Sequence, residues 1–578
     1  MIAKLSPTTG NGQGPKPGRS LLVVGGILIG GFVLHCVAVN YISDDAFISF
    51  RYVRNFLQGH GLVFNPGERV EGYTDFLWVL LLAGLQSLLP AVSLLKIAQA
   101  AGVLFGALTI WMALRFSWDH RQPFWPWGTL AGTFLAAHSG FAAWSTGGLE
   151  GSLFACLVLG GAWAHVGYLE TQRRFWAAPL LFALAAVTRP DGLLFLGLTG
   201  LHLVFAERAR TGEWMNRRVL LWGLVFALLY MPYFFWRYAY YGYLFPNTFY
   251  AKSASGDSWF MYLRGLRYLR DYFLTYGAYL PLFLLVVLWR KKQQAWVGYF
   301  ALLVLAYFLY IVSVGGDGLA FYRFVAYVAP LFYLLIQEGI AELHDWLSRA
   351  VPAARGPAFT GAAVLLVLVM LGLTIRQSAT PILLPSRAMW HEPQSGLYFP
   401  GGTEHSYRWF DNYFVDRLAT AARWLEQNAP PNALVATTPA GSVSYHTRLR
   451  VIDMLGLNDV HIAHTSGTFL GGAGLGRAGH EKGDGEYVLS REPDYILLGN
   501  VAVLPFPLDE KTMGKKLVLK SEHELWAVPE FHQRYELVCI SLANSGVFRY
   551  FTFYRKKQMA ALSGKSAAQV AGGLGKQP

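Results

Sequence analysis

The sequence predicts a polytopic α-helical membrane protein that carries a smaller α/β or α+β domain towards its C-terminal end. Of its 578 residues, 54% are hydrophobic and only 14% are charged, whereas roughly 25% of the residues are charged in an ordinary soluble protein. Long apolar stretches recur as far as residue 375, and the chain becomes more polar after residue 376. This composition excludes an ordinary soluble enzyme. The three cysteines are too few for a disulfide framework.

The first membrane span is predicted at residues 21–40, which contain no Asp, Glu, Lys or Arg. At about 1.5 Å per residue, such a helix crosses a hydrocarbon core of roughly 30 Å. Basic residues precede it, as in a secretory signal, but its length favours a retained span. Together with the later apolar stretches, about eleven crossings are predicted. The later stretches are 95–114, 129–145, 150–168, 177–188, 192–206, 219–236, 272–289, 296–314, 324–341 and 358–375.

Three of the apolar segments are short and need a separate interpretation. Residues 76–89 are predicted to form a re-entrant or juxtamembrane helix, because they are too few to cross a bilayer. Residues 177–188 and 192–206 are predicted to be half-helices that meet at Thr188–Gly192. Polar groups at that depth must line a cavity within the protein.

Basic residues in alternate turns between the spans set the predicted topology. With these turns in the cytoplasm, the positive-inside rule places the N-terminus inside and the C-terminal domain outside a bacterial cytoplasmic membrane. The net charge of +13 then follows mostly from topology, so no nucleic acid is expected as a partner. The basic turn residues are Arg115, Arg121, Arg173, Arg174, Arg208, Arg210, Arg217, Arg218, Arg290, Lys291, Lys292, Arg349 and Arg355.

The expected domain boundaries follow this division. Residues 1–20 form a cytoplasmic segment, and residues 21–375 form the transmembrane module, with its first external loop at 41–75. Residues 376–560 form an extracytoplasmic domain, in which a helix at 416–428, strands at 433–438 and 450–455, and a helical turn and strand within 487–498 are predicted. Residues 561–578 form a disordered tail, since they are rich in Ala, Gly, Ser and Lys.

Two adjacent carboxylates, Asp44 and Asp45, directly follow the first span. Carboxylates at the edge of a bilayer cost desolvation energy, so they either cap the helix that begins near Ala46 or serve a function. An amphipathic helix, the turn-rich segment Gly-His-Gly-Leu-Val-Phe-Asn-Pro at 59–66, and the segment Glu-Gly-Tyr-Thr-Asp at 71–75 come next.

These motifs together resemble the GT-C superfamily of polytopic glycosyltransferases that use polyprenyl-phosphate sugars, and within it the terminal β-(1→2)-arabinofuranosyltransferases. The likeness covers roughly residues 20–340, is strongest at 40–80, and reaches the C-terminal domain only at 451–459. It implies a GT-C-like fold and a polyprenyl-phosphate donor in the lipid bilayer. The expected reaction moves a pentose, with arabinofuranose as the sugar that the resemblance implies, to a cell-surface glycan, a lipopolysaccharide or a pilin-type glycoprotein.

Such a transfer requires a carboxylate that takes the acceptor proton or stabilises an oxocarbenium-like centre, and cations that hold the departing phosphate. Asp44, as the first member of the motif, is the expected catalytic residue. Asp45 is expected to orient the acceptor or to bind a divalent cation, the one cofactor considered. Glu71 and Asp75 are candidates for binding sugar hydroxyls, unless they belong to an ordinary polar loop.

Further candidates lie in turns on the predicted outer side. Glu150 either caps the following helix or points into the cavity, and Asp317 is a further candidate for binding the sugar or acceptor. Arg189 is expected to bind the donor phosphate, unless it only neutralises Asp191. Arg323 enters an apolar run, where an unpaired guanidinium is costly, and is also expected to bind phosphate.

Two other basic or polar motifs complete the predicted site. Asn247 and Lys252 follow an interfacial aromatic run at 230–243 and are expected to bind the donor phosphate, with a snorkelling lysine as the alternative. Arg264, Arg267 and Arg270 recur every third residue. They are expected on an interfacial helix that faces anionic headgroups, with contact to the donor phosphate as the sharper alternative.

Two other functional interpretations stay open. A transporter or lipid flippase would also contain short broken helices around Arg189, although the sequence has no recognisable internal repeat. Alternatively, the enzyme would transfer mannose or aminoarabinose to protein or lipid A. The glycine-rich residues 471–476 lack the strand, helix and acidic residue of a nucleotide-binding loop, and the histidines lack zinc-ligand spacing.

Overall fold

The protein is described by a computed structural model that covers most of the chain. The described residues are 18–121, 124–253, 258–289, 294–351, 356–383, 389–392, 397–400, 403–466, 481–499, 501–517, 519–542 and 548–557. The predicted tail at 561–578 and the glycine-rich segment at 471–476 lie outside these residues.

The N-terminal part of the chain forms a helical membrane module. Its helices are α1 Arg19–Val39, α2 Asp44–Leu57, α3 Phe76–Leu88, α4 Leu94–His120, α5 Leu130–Ala137, α6 Ser139–Thr146, α7 Gly151–Thr171, α8 Ala177–Thr188, α9 Gly192–Thr211, α10 Arg217–Tyr241, α11 Asn247–Lys252, α12 Ser258–Tyr276, α13 Leu280–Trp289, α14 Ala295–Ser313, α15 Arg323–Ala350 and α16 Pro357–Leu383.

Within the described residues, seven helices are long and apolar enough to cross a membrane: α1, α4, α7, α9, α10, α14 and α15. An eighth crossing results if α12 and α13, which meet at a bend of 103°, form one broken span. The chain is therefore an integral membrane protein. The apolar part of α15 is completely buried, so this helix forms the centre of the module.

The predicted count of about eleven crossings exceeds these seven or eight. The stretch predicted at 129–145 is broken between α5 and α6, because the His138 side chain accepts a hydrogen bond from the Phe141 N–H (2.8 Å) and starts a new helix. The stretch predicted at 272–289 is divided between α12 and α13. Helix α8 has only 12 residues, and α3, in the segment predicted to be re-entrant or juxtamembrane, has 13.

The C-terminal domain is an α/β unit, in agreement with the predicted fold class. Strands β4, β3 and β5 are adjacent and parallel in that order. Strand β8 runs antiparallel to them and pairs with β5, β6 and β7. The strands are β3 Leu434–Thr437, β4 Arg450–Asp453, β5 Tyr495–Leu497, β6 Ala502–Leu504, β7 Tyr535–Ser541 and β8 Tyr550–Lys556, preceded by the hairpin β1 Met389–Glu392 and β2 Leu397–Pro400.

Helices cover this sheet, and one of them extends an element predicted from sequence. The predicted helix at 416–428 is the second half of α17. The helices are α17 Thr403–Asn428, α18 Ser442–His446, α19 Val460–Ala463, α20 Gly485–Ser490, α21 Glu510–Gly514, α22 Lys520–Ala527 and α23 Pro529–Arg534.

The loops at the carboxyl ends of β3 and β4 contact the membrane module. In open α/β sheets this edge is where ligands usually bind. A Cβ added at Gly72 would collide with the side chain of Asn458, and one added at Gly441 would collide with the carbonyl oxygen of Asp44. Both glycines therefore permit the close approach of the two modules.

Arg51 on α2 is the most deeply buried cation of this contact. Its guanidinium donates hydrogen bonds to the Leu449 carbonyl (2.9 Å) and to those of Ser444 and Thr447 in the C-terminal domain. It also donates to the Phe64 carbonyl and to the side-chain oxygen of Asn65. Burial lowers the pKa of Arg51 to about 9, so these oxygens have to compensate for the lost water.

Candidate active site

Most of the predicted site residues gather at one end of the helix bundle. Helix α1 ends there, and α2, α7, α9 and α15 begin there. Helix N-termini carry unpaired N–H groups and a partial positive charge, which favour a bound anion. The C-terminal domain packs against α2 at the same end, so the site lies between the two modules.

Asp44 and Asp45 begin α2 but have different surroundings. The Asp44 carboxylate accepts hydrogen bonds from the backbone N–H groups of Gly441 (3.2 Å) and Ser442 (2.7 Å), at the start of α18. Asp45 makes no hydrogen bond among the described residues. Its charge instead acts on Lys252 and Arg323. Asp44 thus binds the C-terminal domain, whereas Asp45 faces the cations.

Lys252 is the last residue of α11, and its side chain retains access to water. Partial loss of water lowers the pKa of Lys252, while the nearby Asp45 carboxylate acts in the opposite direction. Within the described residues, its ammonium makes neither a hydrogen bond nor an ion pair. The Lys252 ammonium and the Asp45 carboxylate are therefore near enough for their charges to interact but lie beyond ion-pair distance, and the region between them is here called the gap.

Arg323 lies beside this gap and is held by one carboxylate. Its Nε and Nη2 donate to the two oxygens of Asp317 at 2.8 and 3.1 Å. Asp317 follows the turn at Gly315 and Gly316, whose φ angles of 79° and 76° favour glycine. Among the described residues, the Nη1 group of Arg323 has no hydrogen-bond partner, so the guanidinium keeps donors for an anion.

More of the hydrogen-bond donors of Arg189 are occupied than those of Arg323. Its guanidinium donates to both oxygens of Asp191 (3.1 and 3.3 Å) and to the Tyr327 hydroxyl (3.2 Å), and it forms a short contact with Glu150. The alternative that Arg189 neutralises Asp191 is thus confirmed as a contact. Since four of its five donors are occupied, Arg189 is poorly placed to bind phosphate directly. Glu150 lies in the same cluster, and its side chain does not cap α7.

Asp75 is buried next to this cluster. The Ser49 hydroxyl donates to its carboxylate (2.8 Å). Burial, together with the nearby Glu150 carboxylate, raises the pKa of Asp75 to about 7. Asp75 therefore changes its charge near neutral pH, at the wall of the site.

Glu71 and Asn247 are engaged in structural contacts instead of facing the gap. Both oxygens of the Glu71 carboxylate accept from Nε of Arg237 (2.9 and 2.8 Å), and both side chains are only 4% exposed. The Asn247 side chain donates to the carbonyls of Gly456 (2.8 Å), Leu457 (3.0 Å) and Asp459 (3.3 Å). These contacts favour structural roles for Glu71 and Asn247, although the buried side-chain oxygen of Asn247 has no hydrogen-bond partner among the described residues. Their roles in sugar and phosphate binding stay predictions.

Arg264 also differs from its predicted role. It donates to the Gly315 carbonyl (2.9 Å) and to Glu481 of the C-terminal domain (3.1 Å), so it does not face headgroups as expected. Arg270 is exposed and pairs with Asp271. Two tyrosines of the site were not predicted: Tyr327 bonds Arg189, and the Tyr307 hydroxyl donates to Asp191 (3.0 Å). Their position inside apolar helices was the only sequence signal.

No group of three or more His, Cys, Asp or Glu side chains that could hold a metal ion occurs in the part of the chain that the structure describes. A divalent cation at Asp45 would therefore depend on this carboxylate together with ligands from a substrate or water. Its involvement stays a prediction.

The fold of this polytopic membrane protein also occurs in a solved structure. ArnT from Cupriavidus metallidurans in the apo state shares this fold, with a TM-score of 0.52 over 93% of this chain and 97% of that chain at 12% sequence identity. The same protein bound to undecaprenyl phosphate aligns over the same shares at 12% identity with a TM-score of 0.49.

Sequence comparison leads to more specific relatives. A terminal β-(1→2)-arabinofuranosyltransferase of Corynebacterium glutamicum is 32% identical over 352 residues, which are 53% of this chain and 48% of that protein. The protein of the same name from Mycobacterium tuberculosis is 32% identical over 271 residues, which are 43% of this chain and 40% of that protein. The chain thus spans about half or less of the length of these relatives. Residues 404–561 match a family described as a domain of unknown function (DUF8728).

Proposed function

We propose that the protein is a glycosyltransferase that moves a pentose from a polyprenyl-phosphate donor to an acceptor hydroxyl, with Asp45 as the catalytic carboxylate. One observation carries this proposal: the charge of Asp45 acts on both Lys252 and Arg323, and neither Asp45 nor Lys252 has a hydrogen-bond partner among the described residues. A carboxylate without a hydrogen-bond partner, close to cations that keep unused donors, suits a reaction that removes a proton from the acceptor and releases a phosphate from the donor.

In the proposed reaction, the acceptor oxygen attacks the anomeric carbon of the donor sugar. The bond between that carbon and the phosphate oxygen breaks, and a bond to the acceptor oxygen forms. The Asp45 carboxylate takes the proton of the acceptor hydroxyl. The polyprenyl phosphate leaves with an additional negative charge, which Lys252, the free Nη1 group of Arg323 and the surrounding helix N-termini stabilise.

This proposal moves the catalytic role from Asp44 to its neighbour. The Asp44 carboxylate accepts two N–H groups of the C-terminal domain, so it would have to lose these bonds in order to act as a base. Arg189, Glu150 and Asp191 are proposed to form the rigid wall of the site. Asp75 and Asp317 remain candidates for contacts with the sugar or the acceptor.

A lipid-linked donor agrees with the position of the site at the end of the membrane module. We place this end at the outer face of a bacterial cytoplasmic membrane, where nucleotide sugars are absent and a lipid has to carry the activated sugar. The names of the two curated relatives favour arabinofuranose. The acceptor is proposed to be a cell-surface glycan, a lipopolysaccharide or a pilin-type glycoprotein.

An assay with purified protein tests the proposal. The protein in detergent is offered undecaprenyl-phosphate linked to arabinofuranose, mannose or aminoarabinose, together with a surface-glycan acceptor fraction. We expect release of undecaprenyl phosphate and labelled acceptor with the arabinofuranose donor, and loss of both in Asp45→Asn. Transfer from another donor alone would change the sugar assignment. Movement of the intact donor across liposomes without any transfer would favour a flippase.

A further inference from the structure

The C-terminal domain contacts the chain segments on both sides of the proposed reaction gap. One set of contacts holds the residues around Asp45, and a second set holds the helix that ends in Lys252. Most of these contacts are hydrogen bonds between a side chain and a backbone group.

On the Asp45 side, Asn412 of α17 binds the connection between α1 and α2. Its side-chain nitrogen donates to the Asn40 carbonyl (2.8 Å), and its side-chain oxygen accepts from the Ile42 N–H (2.8 Å). Asp44 then accepts the N–H groups at the start of α18. The residues five and three positions before Asp45, and the residue directly before it, are therefore held by the C-terminal domain.

On the Lys252 side, Asn247 is the first residue of α11, and Lys252 is the last. The Asn247 side chain donates to the backbone carbonyls of Gly456, Leu457 and Asp459, which lie close together in the C-terminal domain. One turn later, the ring of Tyr250 stacks on His464, with 4.5 Å between ring centroids. Both ends of the short helix α11 are thus connected to the segment that follows β4.

We propose that the C-terminal domain positions the two reactive groups: it sets Asp45 through Asn412 and Asp44, and it sets Lys252 through Asn247. The domain, whose family is described as one of unknown function, is then a part of the transfer site itself. This inference rests on the proposed function. Asn412 and Asn247 are positioning residues, because neither touches the gap.

We call the contacts of Asn412 and Asp44 the Asn412 arm, and the contacts of Asn247 and Tyr250 the Asn247 arm. Loss of each arm is expected to have a different kinetic effect. The Asn412 arm orients the base, so its loss affects the reaction of the bound donor, whereas the Asn247 arm orients the phosphate-binding cation, so its loss affects donor binding. A displacement of about 1 Å can reduce a rate about 100-fold. Rates are expressed per amount of folded protein, because a general loss of folded protein would also reduce the maximal rate and leave the affinity of the remaining folded protein unchanged.

The test compares Asn412→Leu and Asn247→Leu in the full-length protein. For each, transfer kinetics are measured at varied donor concentration, and binding of undecaprenyl phosphate is measured directly. We expect Asn412→Leu to lower kcat at least about tenfold with donor affinity within about twofold of the wild type. For Asn247→Leu we expect donor affinity to fall about tenfold, with a smaller change in kcat.

Asn428→Leu is the matched control, because Asn428 lies on the same helix as Asn412 and, among the described residues, donates only to the Trp424 carbonyl of that helix (2.8 Å). We expect wild-type values for it. If a leucine variant does not fold, Asn412→Ser and Asn247→Ser take its place. Wild-type kinetics in either variant, or the same proportional loss in both, would overturn the inference. Inactive wild-type protein would instead contradict the proposed function, and the lipid-binding measurement would still decide the Asn247 arm.

Discussion

Asp44 and Asp45 are neighbours in the chain, yet their carboxylates face different partners. Asp44 accepts the N–H groups of Gly441 and Ser442, whereas Asp45 faces Lys252 and Arg323. Successive residues of a helix point about 100° apart, so one side chain reaches the C-terminal domain while the other reaches the gap. Substitutions of Asp44 and of Asp45 should therefore have different effects.

Asp45→Asn is expected to lower transfer by about 10²–10⁴-fold, because the amide cannot take the acceptor proton. Donor-lipid binding and thermal stability should stay close to the wild type, since Asp45 makes no hydrogen bond among the described residues. Asp44→Asn should retain measurable transfer but lower the unfolding temperature, because it weakens a bond to the C-terminal domain. An inactive Asp44→Asn alongside an active Asp45→Asn would restore the original assignment.

Lys252→Met is expected to weaken donor binding by roughly 10- to 100-fold, which corresponds to the loss of one charge-assisted hydrogen bond. The methionine preserves the length of the side chain, so α11 should keep its contacts. Binding of undecaprenyl phosphate to purified protein measures the effect. Lys511→Met, at an exposed position of α21, provides the control. Equal affinity in all three proteins would exclude Lys252 as a phosphate ligand.

The Glu71–Arg237 pair is expected to contribute to stability and not to sugar binding. Breaking a buried ion pair on one side leaves an uncompensated charge and costs about 3–5 kcal/mol, so Glu71→Leu and Arg237→Leu should each lower the unfolding temperature strongly. The double variant should recover most of this loss, because no buried charge remains. If Glu71→Leu impaired transfer with an unchanged unfolding temperature, the sugar-binding role predicted for Glu71 would be correct.

Asp75 is expected to make stability depend on pH. Burial raises the pKa of Asp75 to about 7 from an ordinary value of 3.8, so the folded protein binds a proton that the unfolded chain has lost. The contribution of Asp75 is then fully present below about pH 4 and disappears as the pH rises through about 7. Unfolding temperatures from pH 4 to 8 should fall less steeply in Asp75→Asn. Asp271→Asn, at the surface, should follow the wild type, and identical slopes in all three would contradict the prediction.

Much of the fold could be predicted from the sequence, because spans and helix ends leave strong signals. The residues at 45, 150, 189, 252 and 323 follow or precede apolar helices at the same end of the bundle, so their proximity follows from topology. About eleven crossings were predicted, whereas seven or eight helices among the described residues are long and apolar enough to cross a membrane. Composition alone does not reveal the break at His138 or the bend between α12 and α13.

The roles of individual residues were harder to predict where a distant segment decides them. Asp44 is covered by Ser442, which lies 398 positions further along the chain, and no local pattern indicates this contact. The same holds for Glu71, whose partner Arg237 is 166 positions away, and for Asn247, whose partners begin 209 positions later. Their side chains are of types common in binding sites, but long-range packing determines what they bind.

The way in which Arg51 binds residues 444–449 of the C-terminal domain affects how freely the sequence of that segment can change during evolution. The acceptors that it uses there belong to the main chain, and every amino acid supplies the same carbonyl group. Side chains in this segment can therefore diverge among related proteins while the attachment persists. Related chains can therefore change the side chains of this segment without losing the contact between the membrane module and the C-terminal domain.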